Sequence, residues 1–327
     1  MSAPASRRGV LKGLAVGGIA AAGVALTGGK AVASPSSDRG PQPSGVDVTH
    51  AGADLVALVT ATLRDKSAHD LDATMGHFSQ RHLTYTDGTL GLQFLNWSQL
   101  RALFAELMPT WPASAVSYPT RILGDSTSGM ALFTDTPELF GGEIRSISPV
   151  DISGGKIIRQ VDYWDSRHFG VVAAAGLRVP SGQFPTDFGE RAVGERAHPT
   201  IRRVSADLAR ALSAGDVAAA TVLFTPDAAF EDLVLHTRFT GPLAIAAHLG
   251  KALPLLPYGQ AATVRHVVGS AHGGGYEWQS QHGPVGGGVV ALELDQRARV
   301  TRFTATWDGA LLDDTALSAL LATTTED

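Results

Sequence analysis

The chain repeats itself, and an internal repeat constrains a fold more than any single motif. Apolar residues at helical spacing run through 53–66 and again through 201–212. A small-polar break and a shorter helical segment follow each, at 71–78 and 217–224, with Asp70 and Asp216 as caps near their starts. A short acid-bearing strand comes next, 82–87 answered by 228–233. A third helix, 97–108 matched by 243–253, runs into prolines, and four strand-like segments close each copy. The last of these align well, 156–165 against 299–308. Asp87 and Asp232 stand 145 residues apart, while Trp164 and Trp307, like Asp165 and Asp308, stand 143 apart. Such near-constant offsets mark a duplicated domain. The order α-α-β-α-β-β-β-β predicts an α+β fold: two tandem, cone-shaped, curved antiparallel sheets, each capped by helices.

Composition supports this reading and removes whole classes of function. The chain has 327 residues, enough for two domains, and 44% hydrophobic with 17% charged residues is globular arithmetic. A net charge of −5 disfavours a general grip on nucleic acid. With no cysteine, disulfides, thiolate nucleophiles and Cys-type metal sites are excluded. No His-x-His or His-Glu-x-x-His spacing occurs, so neither a metal nor another cofactor is expected.

The first 33 residues read as an address. Arg7-Arg8, with Leu11 and Lys12 behind them, precede a Gly/Ala-rich apolar run and the small-x-small site Ala31-Val32-Ala33. This order resembles a twin-arginine export signal and implies a secreted or extracytoplasmic protein. The run is short for a bilayer span of about 20 residues, so no stable membrane anchor is expected after cleavage. Residues 34–50 read as a flexible tether, 51–170 as the first domain, 171–199 as a linker, 200–312 as the second domain, and 313–327 as a C-terminal helix and tail.

The helix order, the acid-bearing first strand and the closing segment Lys/Arg-Ile/Val-x7-Asp resemble the nuclear-transport-factor-2-like (NTF2-like) superfamily, closest to the SnoaL-like polyketide cyclases. The resemblance implies an apolar pocket under each sheet. It also implies that the two copies pair as an internal pseudo-dimer within a monomer. The superfamily includes cyclases, isomerases, hydrolases and non-catalytic binding modules, so the fold alone does not choose among them.

Candidate residues follow from the strands. Residues two apart share a strand face, so Tyr85 lies beside Asp87 and Phe230 beside Asp232. The resemblance places a ketosteroid-isomerase-like base at Asp87 or Asp232, and a SnoaL-like catalytic acid at Asp165 or Asp308. On the last strand Asp165 shares a face with Tyr163 and Arg159, whereas Asp162 and Trp164 point the other way; alternation leaves open which face lines the pocket. His168 and Tyr163 are further candidates in the first copy and His282 in the second. A rival reading uses the opposite face: 162–165 resembles the ending of limonene-type epoxide hydrolases, with Asp135 as a second acid but Phe133 where those enzymes carry an arginine. The second copy has Ala305 in place of Asp162.

These features point to an exported, cofactor-independent cyclase or isomerase working on an apolar polyketide-like molecule by Asp-mediated acid–base chemistry, with antibiotic biosynthesis as its expected setting. The alternatives are a secreted binding protein without catalysis, an epoxide-hydrolase-like cyclase, and a purely structural duplication. Loss of the polar tips of Tyr85 and Tyr163 (Phe230 and Thr306 in the second copy) favours the first copy as the active one.

Overall fold

The computed structural model describes residues 45–324; the segment expected to be an export signal and most of the expected tether lie outside the described residues. Each half opens with a helix whose apolar stripe faces the sheet. In α1 (Ala53–Ser67) the buried positions are Leu55, Val59, Thr62, Leu63 and Lys66, and Arg64 and Lys66 sit in the last turn, where cations complement the helix dipole. α2 (Leu71–Gly76) starts where Asp70 accepts the Ala73 N–H at 2.9 Å. β1 (Thr84–Asp87), β2 (Leu92–Phe94), α3 (Trp97–Leu107), β3 (Ser117–Gly124), β4 (Ser128–Asp135), the short α4 (Pro137–Phe140), β5 (Ile144–Ser153) and β6 (Lys156–Asp162) complete the first half. After α5 (Val171–Leu177) and α6 (Glu190–Val193), the second half repeats the plan. It runs through α7 (Pro199–Ser213), α8 (Val217–Thr221), β7 (Phe224–Asp232), β8 (Thr237–Thr240), α9 (Pro242–Ala252), β9 (Thr263–Gly269), β10 (Gly273–Gln279), β11 (Gly287–Leu294), β12 (Val300–Trp307) and α10 (Asp314–Ala322).

Two six-stranded sheets result, ordered β2-β1-β6-β5-β4-β3 and β8-β7-β12-β11-β10-β9. Each is antiparallel except for one pair: β1 runs parallel to β6, and β7 to β12. A parallel neighbour requires a crossover, supplied here by the third helix and the meander after it. The sixth strand of each sheet, β2 or β8, is too short to register as a sequence pattern. A glycine pair recurs with the repeat. At Gly124 (φ +121°) a Cβ would lie 2.5 Å from the Gly129 Cα, and at Gly269 (φ +119°) one would lie 2.4 Å from the Gly274 Cα. Only glycine permits that approach at the β3–β4 and β9–β10 corners.

The two sheets pack face to face through β3, β4 and β5 of one half and β9 and β10 of the other. Leu123, Met130, Leu132, Ile147 and Val161 meet Val268, Val289 and Ala291 there, with Phe188 of the connecting segment. Into this apolar contact is set a fully buried charge network. Arg159 Nη1 lies 2.8 Å from Glu277 Oε1 and 3.4 Å from Asp151 Oδ2, and His266 Nε2 lies 3.0 Å from that same Asp151 oxygen. Residues 45–50, the described end of the expected tether, and the expected linker are built into the fold. Asp47 pairs with β3 through Thr120 and Ile122, and Arg178 reaches Asp308 across the halves. The Pro and Gly content of the linker signals irregular backbone, which packing between the halves has ordered.

The cores of the halves differ. The second half is filled by one continuous apolar cluster. The first has three, gathered around Phe104, Ile122 and Trp164, with space between them.

Candidate active site

That space is a cavity of about 720 Å³ counting its mouth, between the concave face of the first sheet and helices α1 and α3. Leu90, Leu92, Phe94, Leu103, Phe140 and Phe169 make most of it apolar. Five ionisable side chains break that surface: Asp87, Asp162, Asp135, Lys66 and Tyr85.

Asp87 ends β1, and its side chain folds back on the turn that follows. Oδ1 accepts the N–H groups of Thr89 at 2.9 Å and Leu90 at 2.7 Å, while Oδ2 accepts Trp164 Nε1–H at 3.2 Å. Burial pushes the carboxyl up to about 7 and the charge of Asp162 adds to the shift, although the donors from Leu90, Trp164 and Thr89 oppose it.

Asp162 ends β6 on the same face. It accepts Ser148 Oγ–H at 2.6 Å, Gln160 Nε2–H at 2.8 Å, and the Tyr85 hydroxyl. Burial raises its carboxyl in spite of these three donors, and burial together with Asp162 holds the Tyr85 phenol well above its ordinary value. At the adjoining wall Lys66 Nζ donates to both oxygens of Asp135, at 2.8 and 2.9 Å, and sits 5.5 Å from the ring centres of Phe133 and Phe140. Ser117 also donates to Asp135. The cation absent at position 133 is thus delivered from helix α1.

The second half shows this constellation set in a continuous apolar core. Tyr85 pairs with Gln160 in the first sheet, and Phe230 pairs with Phe303 at the same place in the second. Those two phenylalanines stack with centroids 4.3 Å apart. By the same registers Asp162 becomes Ala305 and Ser148 becomes Val290. Lys66, one residue before the end of α1, corresponds to Leu212 at that place in α7. Every partner of Asp162 has become apolar, and so has the lysine. Asp232 keeps the turn and the tryptophan: it accepts Val234 N–H at 2.9 Å, Leu235 N–H at 3.0 Å and Trp307 Nε1–H at 3.1 Å. It also takes a fourth donor, Tyr258 Oη–H at 2.9 Å, and is 1% exposed. Asp87 has three of these donors, and the cavity lies where the fourth would be.

The sequence candidates therefore separate. Asp87 and Tyr85 face the cavity, and Trp164 with them. Tyr163 points to the opposite face, where its hydroxyl donates to Glu277 at 2.9 Å across the inter-sheet contact. Asp165 is on that side too, holding Arg167 at 2.6–2.8 Å and capping the turn Ser166–Phe169. Asp308 is buried and binds Ser166 and Arg178, tying the second half to the connecting segment. His168 and His282 are exposed on turns. The open question of faces is resolved by β6: a bulge opposite 151/152 puts Gln160, Asp162 and Trp164 toward the helices. Arg159, Val161 and Tyr163 turn toward the other sheet. Lys66 was not singled out in the sequence, yet its signal was there, a charge at the helical spacing of Leu55, Val59 and Leu63.

No protein-family model matches the chain, and no curated protein does. Among solved structures it is similar to a steroid delta-isomerase from Pseudomonas aeruginosa, at 15% identity over 40% of this chain and 93% of that one, TM-score 0.32. It is also similar to a SnoaL-like protein of unknown function from Burkholderia thailandensis E264 (13% identity, 35% of this chain, 98% of that one, TM-score 0.31). An NTF-2-like protein of unknown function from Burkholderia xenovorans LB400 matches at 17% identity over 34% of this chain and 82% of that one, TM-score 0.29.

Proposed function

We propose that the first half is a cofactor-independent isomerase or cyclase for an apolar, polyketide-like carbonyl compound, and that the second half is its structural partner within a monomer. Residues 1–33 support export of the chain. The observation that carries the reading is Asp87, a carboxyl held at about 7 with its Oδ2 on an apolar cavity. A base works best when its pKa lies near the operating pH. Asp87 takes the proton next to the substrate carbonyl, and the electron pair moves onto the carbonyl oxygen as an enolate. The Tyr85 phenol, held well above its ordinary value, keeps its proton and, by turning from Asp162, supplies the hydrogen bond that such an oxygen needs. Return of the proton to another carbon gives an isomer, and attack of the enolate carbon on an electrophile within the molecule closes a ring. Every step is a proton or electron-pair shift, so none requires a cofactor.

The test is hydrogen–deuterium exchange next to the carbonyl of β,γ-unsaturated and 1,3-dicarbonyl compounds in D2O, followed by NMR. The full chain should exchange them, and Asp87→Asn should be slower by about 10²–10⁴-fold with binding retained. Equal exchange in both would reduce Asp87 to a turn acid.

A second reading, a binding protein without catalysis, has one observation in its favour. Asp232 carries the same turn and tryptophan contacts in a half whose core is filled. Binding without exchange by the wild type would establish it.

A further inference from the structure

Behind the cavity lies a second one, of about 500 Å³ on the same measure, between α1, α2 and the floor of the sheet. The two share Lys66, Tyr85, Phe104, Phe133 and Asp162. The rear chamber is lined on its far side by Val59, Leu63, Phe78, Ala131, Val150 and Ile157. The partition between the chambers is therefore polar, formed by the Tyr85–Asp162 hydrogen bond and the Lys66–Asp135 ion pair, with apolar space on both sides.

We infer that the substrate is a neutral molecule with its oxygen function inside the skeleton, a broad apolar arm in the front chamber and a slim one in the rear. The argument rests on the proposed carbonyl chemistry for the identity of that oxygen, but its geometry does not. The rear wall's own polar side chains are already engaged, Thr62 and Thr74 donating to the carbonyls of Leu58 and Asp70 and Gln160 to Asp162, so a polar group finds its partners at the partition, and an unpartnered one among the hydrocarbon is costly. A terminal carboxylate is disfavoured twice. It would be stripped of water among Val59, Leu63 and Val150, and it would share the chamber with Asp162, while Lys66, the one cation lining it among the described residues, is already engaged by Asp135. Internal ketones with one bulky and one linear arm fit; fatty acids and anionic aromatic acids do not.

The experiment titrates the full chain with phenyl n-alkyl ketones from acetophenone to heptanophenone, read by tryptophan fluorescence, since Trp164 lines the front chamber. Affinity should rise about three- to fourfold per methylene until the rear chamber is full. Appending a carboxylate to the end of the alkyl arm should abolish the gain. Ala131→Leu should bring the plateau at a shorter chain and Phe78→Leu at a longer one, opposite shifts that a folding defect does not produce. If Ala131→Leu fails to fold, the lengthened optimum of Phe78→Leu carries the test. The inference is overturned if the wild type shows no chain-length dependence, if no ketone binds, or if the plateau stays put in the folded variants. Length dependence retained in a protein that exchanges no deuterium would sink the catalytic reading and leave the two-chamber site standing.

Discussion

Replacing Asp87 by Asn should change the sign of its effect on stability with pH. The folded carboxyl is pushed up to about 7 from an ordinary 3.8, a difference of about three. At 1.36 kcal/mol per unit that is about 4 kcal/mol of linkage, and partial exposure to the cavity reduces it to about 3. A carboxyl raised on folding contributes stability that is fully present below about pH 4 and is lost as pH rises through about 7. Asparagine keeps an Oδ1 acceptor for Thr89 and Leu90 but turns an NH2 toward Trp164 Nε1, a donor–donor conflict worth about 1 kcal/mol at every pH. The variant should therefore be about 1 kcal/mol less stable than wild type near pH 4 and about 2 kcal/mol more stable near pH 8. Urea unfolding of both proteins at several pH values measures this. Asp232 and the other unaltered groups cancel in the difference, leaving Asp87 and its coupling to Asp162. Parallel stability curves would refute the reasoning, since they would mean that Asp87 is no harder to ionise folded than unfolded.

The other expectations use the same measurement. Tyr85→Phe removes a donor from Asp162, as the second half has done at Phe230. It should cost about 2 kcal/mol where that carboxylate carries charge and less as pH falls through its raised value. Lys66→Met strands Asp135 in the cavity wall and should cost about 3 kcal/mol or more at pH 7; Asp135→Asn added to it should recover much of that loss, a coupling that a double-mutant cycle reads. Burial alone would lower the His266 imidazolium, but its hydrogen bond and charge pairing with Asp151 outweigh that and raise it. Arg159 opposes the rise, Glu277 favours it, and the Tyr163 hydroxyl completes the surround. Its contribution is full below about pH 6.5 and fades as pH passes its raised value. His266→Gln should therefore cost more at pH 5.5 than at pH 9, with hydrogen exchange in β5 and β9 as the local readout.

Much of this molecule was legible in the chain. Constant offsets announced two copies because a duplicated fold keeps its helix and strand spacings. The period of each segment told helix from strand, and Asp70 and Asp216 marked where short helices begin. The pairing of Tyr85 with Asp87 followed from strand alternation. The faces of β6 did not, because that strand is buried on both sides, by helices and by the other sheet, and both of its faces mix charge with hydrocarbon. A bulge of one residue then decided that Asp162, not Asp165, meets the cavity.

What the sequence by itself determined was local and periodic: the repeat, the α+β layering, the helix stripes, and the loss of polar side chains in the second copy. What tertiary structure alone decided was which charges meet. Lys66 and Asp135 are 69 residues apart and Arg159 and Glu277 are 118 apart, and neither pair leaves a trace in spacing. The reason is physical: an ion pair depends on proximity and on exclusion of water, and both arise only when separate elements pack. The Asp87 turn is written into both halves, at 87 and 232. The empty volume beside Asp87 lies between the packed helices and the sheet, and only their packing creates it.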